Sequence, residues 1–148
     1  MKIREMKVTP IAIADAPLRN VVGIHEPYVN RIIVELVGED GNSGFGEAAF
    51  SNRTWQDLLA LRSDVIGHDS LNLNVLSNVV AARLGRPGAL DLDPVLRNFE
   101  LAPRRTNSAV PRTLSPIEVA ALDLSGRSLG VPVCDLLGGR VRDAAPFS

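Results

Sequence analysis

The stretch SPIEVAALDLSGRSLGVPVCDLLGG, residues 115–139, carries the densest set of structural signals in the sequence. Ser115, Pro116 and Glu118 supply an N-cap serine, a proline at the first helical position and a glutamate three residues after the cap, which predicts a helix starting at Ser115. Leu114 and Val119 add the apolar pair of a hydrophobic staple. Ile117, Ala120, Ala121 and Leu124 recur at helical spacing, and the small members of that stripe let another backbone come close. Gly126 costs a helix about 1 kcal/mol relative to alanine, so it too needs a packing reason. Gly130 and Pro132 end the helix, and VCDLLGG reads as one further turn closed by Gly138 and Gly139.

Upstream, residues 28–37 alternate cleanly, with Ile32, Val34 and Leu36 on one side and Arg31 and Glu35 on the other, which predicts a strand. Residues 1–13 put Met6 and Val8 on one parity and Ile11 and Ile13 on the other, so an edge strand with a bulge or kink across Thr9 and Pro10 is expected. DAPLRNVVGIHEP, residues 15–27, is a loop by its prolines and glycine, and Asp40-Gly41 signals a tight turn into a third short strand containing GFGE, residues 44–47. Two helices follow. The first is expected from a cap at Thr54 to a stop at Gly67, with Trp55, Leu58, Leu59, Arg62, Val65 and Ile66 in its stripe. The second spans about residues 71–84 and ends at Gly85 and Pro87, while residues 86–114 are expected to be a long irregular connection. The fold class is therefore α+β, a three-stranded antiparallel meander followed by a bundle of helices.

Bulk composition narrows the chemistry. A chain of 148 residues suits one domain and can bury roughly 70% of its unfolded surface. A net charge of -1 gives no field for nucleic acid or an anionic membrane, and no apolar run reaches the 18 or so residues that span a bilayer. With one cysteine and no signal-like N-terminus, the expected location is cytoplasmic. Lys2 and Lys7 are the only lysines, both on the opening strand, which is a poor place for a catalytic base of lowered pKa.

AALDLSGRSLGVPVCDLLGG, residues 120–139, resembles the enolase superfamily, in its mandelate racemase and muconate lactonizing branch, where the last helix of the N-terminal capping domain leads into a barrel. The GFGE strand, the VIGHDSL link at residues 65–71 and GRVRDAAPFS at residues 139–148 agree in order. LRNVVGIHEPYVNR, residues 18–31, most resembles the glucarate dehydratase group, whose loop carries an asparagine and a histidine around a glycine. The resemblance implies a capping domain over residues 1–139 and the entry to a first barrel strand over residues 140–148, with the barrel itself absent. In the family that barrel, of roughly 250 residues, supplies the bases and the ligands of Mg²⁺, so this chain is expected to hold no cofactor and to be inactive alone. It also implies that Asn20 and His25 hydrogen-bond an acid-sugar substrate and that a second capping loop lies near residues 48–53. A threonine of the long connection should touch substrate as well; Thr106 is the candidate, with Arg104 and Thr113 competing.

Other conspicuous residues have simpler readings. Standing alone, His25 would be a surface histidine, and His68 reads as structural at a helix entry. Cys134 reads as a small buried hydrophobe, and Asp123 with Arg127 as an i,i+4 surface pair. Glu47 ends a strand beside two glycines and can fix sheet geometry, while Gly44 and Gly46 lack the context of a phosphate-binding loop. The alternative to a capping domain is a stand-alone structural or dimerisation domain whose apolar surface pairs with another copy; self-association is expected on either reading.

Overall fold

The structure, a computed structural model, describes residues 1–17, 19–20, 23–24, 27–85 and 109–144, and of residues 20, 23, 24 and 109–111 it describes the backbone alone. In chain order the elements are β1 (Ile3–Ala14), β2 (Arg19–Asn20), β3 (Gly23–Ile24), β4 (Tyr28–Gly38), β5 (Ser43–Ala49), α1 (Asn52–Val65), α2 (Leu73–Leu84), α3 (Ala109–Leu129) and α4 (Val133–Leu136). β4 is the centre of a three-stranded antiparallel sheet in the order β1-β4-β5, and β2 pairs with β3 as a separate two-residue hairpin. This is the α+β order expected from the sequence. Ile32, Val34 and Leu36 are fully buried, and the register sets Val34 against Val8 and Gly46, and Leu36 against Met6 and Gly44. With Leu58, Leu61, Val65, Leu76 and Val80 of α1 and α2, and with Ile117 and Leu124 of α3, they make one core between the sheet and the helices.

The expected bulge across Thr9 and Pro10 is not there. Register runs unbroken from Glu5 to Ala14, and the irregularity lies between Ile3 and Glu5. The reason is which way Pro10 faces. The Asp15 amide donates to Pro27 on the β4 side, so from Glu5 onward odd-numbered residues of β1 turn their backbone groups inward and even-numbered ones turn outward. Met6 confirms the parity, its carbonyl accepting from Arg62 Nε at 2.9 Å on the outer edge. Pro10 therefore lacks a donor only where no strand lies beside it. Lower on that edge the chain is sealed, Ile3 donating to the His68 carbonyl and accepting from the Gly67 amide.

α3 also departs from expectation. It is helical from Ala109, so Ser115 is not its cap and Pro116 lies inside it. Pro116 forfeits one bond to the carbonyl four residues back. The stripe of buried Ile117, Ala120, Ala121 and Leu124 continues upstream to fully buried Thr113, and that packing outweighs the loss. Residues 109–114, expected in the irregular connection, thus belong to the helix. α1 is capped by Ser51, whose Oγ accepts from the Thr54 amide at 3.0 Å, rather than by Thr54, which is buried under the first turn. Gly67 stops that helix as expected, at φ 87°. Leu59 and Ile66, placed in its apolar stripe, are exposed, whereas Leu61 takes a buried place.

β5 and α3 touch backbone to backbone. A Cβ at Gly46 would overlap the Pro116 carbonyl oxygen, and one at Gly44 would overlap the Leu124 amide and the Ala120 carbonyl. Asp123 then covers the free edge of β5, its Oδ2 accepting from the Phe45 amide at 2.9 Å while Oδ1 accepts from Arg127 Nε at 3.0 Å. The pair expected on the surface is thus also an edge cap, and the guanidinium of Arg127 lies 5.9 Å from the centre of the Phe45 ring. Gly126 has its packing reason too: a Cβ there would stand 2.8 Å from the Val131 carbonyl oxygen.

Candidate functional site

The arm, the end of β5 and the start of α3, each bordering a segment expected to face substrate, lie at one end of the sheet. β1 and β4 run past β5 as a two-stranded arm, with Ala14 opposite Tyr28 at its tip, whereas β5 stops at Ala49 opposite Arg31. The arm carries the β2–β3 hairpin, which sets the Asn20 backbone opposite Gly23. β5 ends beside the root of the arm, where the Phe50 amide donates to the Asn30 carbonyl at 3.2 Å. α3 runs antiparallel to β5, since Gly44 lies against Ala120 and Leu124 while Gly46 lies against Pro116. From Gly46 to Ala49 a strand advances about 10 Å, and from Pro116 back to Ala109 a helix rises about 10 Å, which brings the start of α3 level with the end of β5.

The second loop, residues 48–53, is fixed at both ends. Ser51 caps α1 and donates its hydroxyl to Thr54 Oγ1 at 2.8 Å. The ring of Phe50 rests on Trp55 at 6.2 Å between centroids, tilted by 38°. Arg31 and Glu47 form a cross-strand ion pair at 3.0 Å on the face opposite the helices, and Arg53 reaches Asp57 at 3.8 Å along α1. The indole Nε1 of Trp55 and the hydroxyl of Thr113 are buried with no hydrogen-bond partner among the described residues. The Phe50–Trp55 contact escaped the sequence reading, which counted Trp55 as a stripe residue; an aromatic immediately before a capping serine and a second in the first turn is the signal that could have found it.

Asn20 is described by its backbone alone, and His25, Arg104 and Thr106 lie outside the described residues. Thr113 sits in the first turns of α3, fully buried. His68 lies between α1 and α2, where its carbonyl accepts from Ile3, in keeping with a structural place. Cys134 is half-buried rather than buried, its Sγ 3.6 Å from Asp135 Oδ1. At the far end of α3 an open cleft of about 320 Å³ is lined by Asp123, Gly126, Arg127, Val131 and Pro132. Its two charged groups are bonded to each other, so it presents no free charge to a ligand. Among the described residues no three histidines, cysteines or acidic side chains converge on a metal position. No helix among them is long and apolar enough to cross a membrane.

No family model matches the sequence. Along its whole length the chain is 37% identical to a probable glucarate dehydratase of Streptomyces coelicolor, of which it covers 34%. A solved enolase of Thermobispora bispora, complexed with magnesium and formate, superposes with a TM-score of 0.85 at 36% identity over all of this chain and 34% of that one. A second, from Pseudomonas fluorescens with bound magnesium, potassium and tartrate, gives 0.82 at 41% identity over 99% of this chain and 34% of that one. The chain spans about a third of the length of the relatives it matches.

Proposed function

Because the chain belongs to the enolase superfamily and corresponds to the N-terminal domain of its members, we propose that it caps the active site of a Mg²⁺-dependent acid-sugar dehydratase of the glucarate dehydratase kind. The reaction removes a proton next to a carboxylate and expels the neighbouring hydroxyl as water. Its bases and metal ligands would sit on a barrel formed by other residues, entered through residues 140–148, so that residues 1–139 are inactive alone. The work of this chain is to hold the distal part of the substrate and to exclude water. Asn20 and His25 would hydrogen-bond hydroxyl or carboxylate groups of the sugar, and residues 48–53 and Thr106 would add further contacts.

The observation that carries this reading is the 37% identity to a probable glucarate dehydratase over the whole chain. Two further facts support it: the arm, the end of β5 and the start of α3 border the three segments at one sheet end, and the Pseudomonas fluorescens relative holds tartrate, a hydroxylated diacid like an acid sugar. A hybrid of this chain with the barrel portion of the Streptomyces coelicolor relative tests it. Glucarate dehydration is expected, and Asn20→Ala or His25→Ala should each raise KM roughly tenfold, the worth of one hydrogen bond of about 1.4 kcal/mol. A hybrid whose KM neither substitution moves would overturn the assignment.

Exposed Leu129, Leu137 and Val141 favour a second reading, a structural domain that covers these side chains by pairing with a copy of itself. Sedimentation velocity at high concentration would contradict that reading by a strictly monomeric profile.

A further inference from the structure

The two-stranded arm has little of its own to hold it. Among the described residues only β1 pairs with β4 beyond Arg31, and an isolated two-stranded ribbon is marginally stable in water. Ile13, Ala14 and Tyr28 at its tip are exposed, so burial contributes little there. The last rung tying the arm to a third stretch of chain is the Phe50 amide on the Asn30 carbonyl. That rung is made by a residue outside the strand, and its backbone position is set by the Phe50 ring, which packs against Trp55 and the edge of the core. Trp55 is in turn fixed to the first turn of α1, whose cap Ser51 directly follows Phe50.

We propose that Phe50 and Trp55 are positioning residues that couple the two loops, the aromatic seat holding residues 48–53 and, through the Phe50–Asn30 rung, the root of the arm that carries the β2–β3 hairpin. The role of these loops in gripping an acid sugar rests on the capping reading; the coupling itself does not. If substrate closes on one loop, the shared rung carries the other with it, so these two loops move as one unit. Its specificity would then be set partly by residues that touch no substrate.

Amide hydrogen exchange on the purified chain, resolved by residue, tests this with no substrate present. Trp55→Ala removes the seat and is expected to speed exchange roughly tenfold at the Phe50 amide and, together with it, at the arm amides of Ile13, Asp15 and Val29. The Val34 amide, deep in the sheet, should be unchanged. Trp55→Phe keeps an aromatic seat and should leave all of these near the wild-type rates. Acceleration confined to residues 48–55, or an equal effect of the phenylalanine variant, would overturn the coupling. Should Trp55→Ala raise exchange at Val34 as well, Phe50→Leu, which trims the same contact more gently, decides between the same two outcomes.

Discussion

Gly44 and Gly46 show how a single hydrogen atom in place of a side chain can fix a packing distance. Both lie where β5 meets the backbone of α3, and the atoms a Cβ would strike at Gly46 belong to Pro116 and Ala120. Gly46→Ala can be accommodated only by moving strand or helix, so a loss of about 3 kcal/mol or more is expected in denaturant unfolding. Gly41 makes the contrast: its φ is 84° but nothing lies near a Cβ there, so Gly41→Ala should lose only the strain of the left-handed backbone, about 1–2 kcal/mol. Equal losses at the two positions would refute the close-approach account. The sequence displayed these glycines and the small stripe of α3 separately. What it did not display is that they face each other, because a contact between elements some seventy positions apart leaves no local pattern.

Among the elements, β1 and α3 each contain a proline where a local rule expects a break, and tertiary placement overrides the rule in both. On β1 the missing donor of Pro10 faces the open edge, so Pro10→Thr should change the unfolding free energy by no more than about 0.5 kcal/mol. A large gain would mean that the Pro10 position needs a donor after all. At the start of β1, Asp69 ties the N-terminus to the link between α1 and α2. Its carboxylate is held below its ordinary pKa, first by the hydrogen bond from the Met1 ammonium at 2.8 Å and then by the Leu71 amide. Asp40 is likewise held low, by the nearby Ser128 hydroxyl and then by Asn42, whose side-chain amide donates to its carboxylate at 2.8 Å within the β4–β5 turn. Folding lowers these pKa values, so their contribution is whole above the ordinary carboxylate range, near 4, and is lost as pH falls through the lower folded values. A melting series should therefore be flat in this respect from pH 7 to about pH 5 and fall below about pH 4. Asp69→Asn should flatten part of that fall while costing under about 1 kcal/mol at neutral pH, because the pair is half-exposed and solvent-screened. An unchanged acid profile would remove Asp69 from the account.

Over the whole molecule, strand order, the central place of β4 and the helices that follow were legible because each rests on a period of two or of about 3.6. Helix starts were not, since Ser51 and Thr54 both have capping chemistry and only burial of Thr54 decides between them. The candidate site residues rest on resemblance alone. Asn20 and His25 form no periodic pattern, and the rung between Phe50 and Asn30 is a backbone contact that no residue type announces. The proposed function is a division of labour: this chain would grip and shield an acid sugar, while the groups that break its bonds would belong to other residues. Incubating the purified 148-residue chain with glucarate and Mg²⁺ and following the keto product tests that claim most directly. No turnover above the uncatalysed rate is predicted, and keto product formed by this chain alone would contradict it.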